Sequence, residues 1–445
     1  MKTLLERAKG SPLDIITDCN APASTVTLLS PHTRQIRSLN FTHSDWADIR
    51  WFSEVNSGPL PLLRTLEIGA VTEFRWTRLH YPMTPRSPPL FSNAVNLKRL
   101  VLQSQEWPFL NHFIFPSLTT FELSTMPAEG VQASELLNFF EASPMLQTVY
   151  MRIIAGILLE DLPQGKVVVL PNVRTFCLVV SDGAPGYELV AHISCPSACI
   201  TSVICEKHAE DMTTDRDIFI FPTAASWNTI VHRYTRSPVE EVTLEINPHH
   251  DLTIASTLTF QSFDMTFARL GVEVSGNIDD EIEFQMSLEE MALEIFSQGS
   301  RAVCDHPLLS GIKRLRISCG VFISEPIQLR SMANEVGRLF GFVGPLDELT
   351  LRGFDSSLYL ATFLDLPEFK DMDHPIVFPP IKWLTISHPP MEGPEECIFA
   401  IVELAKLQHA LGVPFERVTF LAKGLPAGMA EMLELWVGVA DCREE

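Results

Sequence analysis

One nine-residue phrase returns along this chain. FPSLTTFEL (115–123), LPNVRTFCL (170–178), LSGIKRLRI (309–317) and FPPIKWLTI (378–386) share the pattern apolar-x-x-apolar-x-apolar. The last two apolar positions are separated by one residue and so lie on one side of a β-strand. The first sits where the chain turns into that strand. A single strand cannot bury this side alone. Repetition allows strands to stack in parallel, with a return segment behind each, around one continuous core.

The pattern also fits Ile36/Leu39/Phe41, Leu63/Leu66/Ile68, Leu97/Leu100/Leu102 and Leu146/Val149/Met151, then more weakly Ile200/Val203/Cys205 and Phe267/Leu270/Val272. Further matches are Val239/Val242/Leu244, Leu346/Leu349/Leu351 and Phe415/Val418/Phe420. First positions step by 34, 21, 28, 27 and 27 residues from Leu63, and by 34, 35 and 34 from Ile312. Proline stands two residues before the first position at Pro61, Pro116, Pro144, Pro171 and Pro379, and one before it at Pro238, Pro345 and Pro414. Proline has no N–H to give a ladder and is tolerated at a strand's first residue, so it marks where connectors end.

Helical apolar spacing recurs between phrases, in ASELLNFFEAS (133–143), RSMANEVGRLF (330–340) and ECIFAIVELAKLQHA (396–410). The step of 21 leaves room only for a loop or a short turn of helix. These features predict an α/β chain: an irregular solenoid with a curved parallel sheet on its concave side and helices and loops on its convex side. The repeats occupy residues 21–427, with an irregular middle at about 206–308 that holds EKHAEDMTTDRD (206–217) and NIDDEIEFQ (277–285). Residues 1–20 read as a linker, and 428–445 as a capping helix and tail that close the last repeat.

A chain of 445 residues exceeds one ordinary core, which stops growing near ~250–300 residues, and a repeat array escapes that limit. The formal charge of −22, from 55 acidic and 33 basic residues, argues against general nucleic-acid or anionic-membrane binding. No apolar run approaches the ~20 residues that span a bilayer, and the first residues contain no continuous apolar segment of a secretory signal. Nine cysteines at irregular spacing suit reduced thiols, which predicts a cytoplasmic or nuclear protein.

The repeats resemble leucine-rich repeats in the degenerate form of fungal, basidiomycete-type F-box proteins. LLERAKGSPLDI (4–15) is similar to the segment that follows the F-box there, through Glu6, Arg7, Gly10, Pro12, Leu13, Asp14 and Ile15. The resemblance implies the substrate receptor of a ubiquitin ligase. The F-box block itself would lie upstream of this start, so a Skp-type adaptor is expected as a partner only if such a block exists there.

Residues flanking the second apolar position point away from the core. Toward the C-terminus these are Arg314 and Arg316, Glu348 and Thr350, Trp383 and Thr385, and Arg417 and Thr419, with Arg352 one step further. Arg and Trp are enriched at interface hot spots, so Arg314, Arg316, Glu348, Arg352, Trp383, Thr385 and Arg417 form the candidate partner-binding set, suited to an acidic protein segment. A solvated polar sheet face is the plain alternative. Cys195, Cys199, Cys205 and His208 are weak zinc candidates, since structural zinc sites pair ligands two to four residues apart on tight turns. His249, His250 and Asp251 are weaker still. Neither a nucleophile-elbow nor a phosphate-loop nor a metalloprotease motif occurs in the sequence.

The expected function is therefore non-enzymatic protein binding without a cofactor, in substrate recognition for an F-box-type ligase. The alternatives are a scaffold with no ubiquitin role and a truncated, non-functional gene product.

Overall fold

The computed structural model divides the chain into two compact units: residues 1–203 with 222–234, and residues 204–221 with 235–445. It describes residues 8, 10–17, 29–42, 53, 59–70, 90–104, 110–125, 130–154, 156–160, 162, 165–181, 183–196, 198–208, 229, 241–249, 253–260, 263–271, 312–319, 326–353, 378–387, 394–421 and 434–443. The class is mixed α/β, built on large, open, mostly parallel sheet.

In the first unit the strands are β1 (Leu13–Thr17), β2 (Ile36–Thr42), β3 (Thr65–Ala70), β4 (Arg99–Ser104), β5 (Thr120–Thr125), β6 (Val131–Gln132), β7 (Thr148–Ile153), β8 (Ile157–Leu158), β9 (Val168–Val169), β10 (Thr175–Val180) and β11 (Ile193–Ser194). β12 (Ile200–His208) begins in this unit. The main sheet runs β1-β2-β3-β4-β5-β7-β10-β12, and β6-β8 and β9-β11 form two small parallel pairs. Register explains the repetition. Leu39, Leu66, Leu100, Phe121, Val149 and Phe176 are aligned across six strands, and each is fully buried. Phe41, Ile68, Leu102, Leu123, Met151 and Leu178 form the next row. Each such side chain contributes about 1.5–3 kcal/mol relative to exposure.

Helix α1 (Ala133–Glu141) packs on this core side, where Phe139 and Phe140 meet Phe121 at ring-centroid distances of 4.4 and 6.4 Å. Among the described residues, the short step after Leu97 holds a 3-10 turn, Leu110–His112. Helix α2 (Gly183–Ala191) was not expected, because Gly183, Pro185 and Gly186 mask its periodicity. Pro185 falls in its first turn, where a missing N–H costs nothing. Gly186 lets it approach β10, for a Cβ there would lie 2.8 Å from Val180 Cγ2.

In the second unit the strands are β13 (Glu241–His249), β14 (Thr253–Phe260), β15 (Phe263–Gly271), β16 (Arg314–Cys319), β17 (Leu346–Arg352), β18 (Ile381–Ser387), β19 (Arg417–Leu421) and β20 (Ala440–Arg443). Their order is β15-β14-β13-β16-β17-β18-β19-β20. From β13 onward every pairing is parallel, whereas β13-β14-β15 is an antiparallel meander. Leu315, Leu349, Leu384 and Val418 form a buried row beneath α3 (Pro326–Phe342) and α4 (Pro394–Ala410), both of which bury an apolar side.

Four expectations change. Leu13–Thr17 is a paired strand rather than linker, because Leu13 and Ile15 align with Ile36 and Leu39. Residues 253–260 and 263–271 pair antiparallel in place of the Phe267/Leu270/Val272 phrase, with Phe260 opposite Phe263. In the seventh phrase Cys199 takes the first buried position, while Ile200 is 57% exposed. Ile200 N–H donates to the Arg174 carbonyl just as Arg174 N–H donates to that of Gln147, which sets the offset. Finally, Ala440–Arg443 is a strand beside β19 instead of a tail, and residues 428–433 of the expected capping helix lie outside the described residues. So do 209–217 and 277–285, the bulk of the two charged stretches.

Candidate functional site

Strand alternation decides which side chains leave the core. In the second unit Leu315, Leu349, Leu384 and Val418 point inward, so their neighbours point outward. Because the pairing is in register, Arg314, Glu348, Trp383 and Arg417 stand in one row across β16, β17, β18 and β19. Arg316, Thr350, Thr385 and Thr419 form the second row, and Ser318, Arg352 and Ser387 belong to the third. All seven residues expected in the partner-binding set therefore share one face of four adjacent strands. Row neighbours are about 4.8 Å apart, and successive rows on one strand about 6.8 Å.

Arg314, Arg316, Arg352 and Arg417 are exposed, and Glu348 and Thr385 are half-buried. Trp383 keeps 47% of its surface in solvent, and its indole N–H donates to Glu416 Oε2 at 3.2 Å. That bond holds a large flat ring on the outer face. Thr350 Oγ1 donates to Glu348 Oε1 at 3.4 Å, which steers the carboxylate along its own strand. At the strand entrances Lys382 Nζ lies 2.5 Å from Asp347 Oδ1. Its hydrogen bond holds the Asp347 carboxyl below the usual carboxylate range, and Asp347 in turn raises the lysine. The sequence reading overlooked Glu416, Asp347 and Lys382. Their signal was the position just after the first apolar residue, which is one step outside the outward pair.

Of the cysteine-histidine run, Cys195 and Cys199 lie in the first unit around a single turn. Cys195 follows β11, and Cys199 closes a turn in which its N–H donates to the Pro196 carbonyl at 2.9 Å. Both are buried. Cys205 and His208 lie on β12, six and nine residues beyond Cys199. The first two thiols interact. The Cys195 thiol bonds the Cys199 sulfur and outweighs burial, and with Thr201 Oγ1 donating at 3.6 Å it brings Cys199 down to about 7. His249 ends β13, and His250 and Asp251 lie outside the described residues. Among the described residues no three His, Cys, Asp or Glu side chains converge as metal ligands.

The first unit holds a shallow cleft of about 260 Å³ lined by Asn111, Ile114, Gln132, Ser134, Glu135, Asn138 and Phe139. It is below the usual range of small-molecule sites, ~300–1,000 Å³. What the second unit offers is different in kind: a broad array of Arg, Glu, Thr and Trp side chains on rigid backbone, suited to non-covalent contact. No helix among the described residues is long and apolar enough to cross a membrane. No family model matches this chain, and no curated protein does.

Proposed function

We propose that this protein is a non-enzymatic, protein-binding leucine-rich-repeat solenoid of irregular form that engages an acidic segment of its partner through the outward face of β16–β19. The observation that carries the reading is the row Arg314, Glu348, Trp383 and Arg417, flanked by Arg316, Thr385 and Arg352 in the next two rows. Four arginines around an exposed tryptophan, in a chain of net charge −22, make a local exception of the kind that interfaces use. Arginine suits the task because its planar fork pairs carboxylates in a bidentate way. The repeated phrase and the LLERAKGSPLDI segment favour a substrate receptor of the F-box type over a general scaffold.

The test is affinity purification from native lysate with the full chain and with an Arg316→Glu/Arg352→Glu/Trp383→Ala variant. The reading expects partners recovered by the first to be lost from the second while the thermal midpoints agree. The same partners in both eluates would overturn the assignment of the face. A Skp-type adaptor among the partners supports the ligase role; a stable partner set without it supports the scaffold.

A further inference from the structure

In the phrases that begin at Ile36, Leu63, Leu97, Leu118 and Leu146 the residue after the first apolar position sits at the strand entrance, and backbone bonds tie these residues into a column. In the first unit Arg64 N–H donates to the Arg37 carbonyl, Lys98 N–H to that of Arg64, Thr119 N–H to that of Lys98, and Gln147 N–H to that of Thr119, all at 2.8–2.9 Å. Arg37, Arg64 and Lys98 are thus three exposed cations on consecutive strands, each about 4.8 Å from the next along the backbone.

The second unit shows what the same position looks like when it neutralises itself. There the column reads Lys313, Asp347, Lys382, Glu416, with Asp347 N–H bonded to the Lys313 carbonyl and Glu416 N–H to that of Lys382. Signs alternate, and Lys382 pairs with Asp347. In the first unit, among the described residues, Arg37 alone of the three is neutralised, by Asp14 on β1. Lys98 Nζ donates to the uncharged Ser117 carbonyl at 3.2 Å, and among the described residues neither it nor Arg64 has an ion-pair partner. The carboxylates three residues further along are engaged: Glu67 accepts from Asn40 Nδ2 at 2.6 Å, and Glu122 lies 3.0 Å from Arg99. Like charges on neighbouring strands are destabilising, and a bound anion relieves that cost.

We propose that this column is a second recognition surface, which takes an acidic, Asp- or Glu-rich segment of a protein partner laid across the strand entrances. Charge complementarity selects the occupant. Alternate residues of an extended peptide repeat every ~6.8 Å and acidic residues four apart on a helix every ~6 Å, both within reach of flexible side chains rooted ~4.8 Å apart. Nucleic acid fits less well. With Arg37 already paired to Asp14, the column releases few counterions, and it has no aromatic side chain on which a base could stack. The surface is independent of the β16–β19 face, and either can fail without the other.

The probe is a fluorescently labelled peptide of alternating Asp and Gly, titrated against the full chain by anisotropy. The chain carries Arg316→Glu/Arg352→Glu throughout, so that the β16–β19 face is silent. Binding that weakens with salt is expected, together with a roughly tenfold or greater loss on adding Arg64→Ala/Lys98→Ala and abolition by Arg64→Glu/Lys98→Glu. Both side chains are exposed, so circular dichroism and the thermal midpoint should stay unchanged. Absence of binding, binding indifferent to both substitutions, or equal binding of a Lys-Gly peptide would overturn the proposal. Tighter, column-dependent binding of single-stranded DNA would replace the protein segment with nucleic acid.

Discussion

Cys199 and Cys397 are both sealed from solvent, yet their thiols are driven in opposite directions. Burial alone pushes Cys397 up to about 12, so it stays a thiol at any physiological pH. Cys199 falls from its ordinary value of 9.0 to about 7 because the Cys195 thiol and the Thr201 hydroxyl donate to its sulfur. The consequence for stability has a definite sign. Between about pH 7 and pH 9 the folded chain holds a thiolate at Cys199 while the unfolded chain still binds the proton, so stability rises with pH across that window. The gain is lost as pH falls through 7. Replacing Cys195 by Ala should return Cys199 to the ordinary thiol range and flatten the rise. Thiolate absorbance titration and denaturation at several pH values check this, and an unmoved midpoint in Cys195→Ala would refute the bond as the cause. The pair was visible in the sequence only as a possible metal run. That the first two thiols meet depends on a turn before β12, which ligand spacing alone does not carry.

At the scale of the element, α1 is joined to the sheet by rings. Phe140 meets Phe121, Phe139 and Phe176 at centroid distances of 6.4, 5.9 and 6.2 Å and is fully buried. Phe140→Ala should therefore cost about 3–5 kcal/mol in chemical denaturation, since it leaves a cavity bounded by rigid neighbours. Leu407→Ala on α4, at a side chain 43% exposed, should change stability by less than about 0.5 kcal/mol. Equal effects would mean that α1 is not anchored by its aromatic side. The three helices expected from spacing form at Ala133–Glu141, Pro326–Phe342 and Pro394–Ala410 because their apolar residues recur on one side. The candidate face was equally legible: steps of 34, 35 and 34 carry the same apolar pattern into register, so outward positions had to form rows. What escaped were elements that break the phrase. The antiparallel β14–β15 pair alternates apolar and polar residues around Gln261-Ser262, without the Asn-Gly or Gly signal of a tight turn. β1 and β20 each present too few residues to show a period.

For the molecule as a whole, 22 uncompensated negative charges repel one another in the compact state. Salt shortens that repulsion, from a Debye length of ~30 Å at 0.01 M to ~8 Å at 0.15 M. It also weakens exposed pairs such as Lys382–Asp347 and Arg99–Glu122, but exposed pairs contribute little. The thermal midpoint should therefore rise over this range of sodium chloride, and a fall would mean that the attractive pairs outweigh the net repulsion. The in-register stacking has a further consequence for how such a chain changes over generations. Arg314 and Arg316 alternate with Leu315 and Ile317, so residues that hold the sheet together and residues of the proposed binding face occupy separate positions on the same strand. On the proposed reading, drift at the outward positions retunes partner choice strand by strand while the core keeps its packing. The mutational routes to a new specificity are thus short, local and nearly independent of folding.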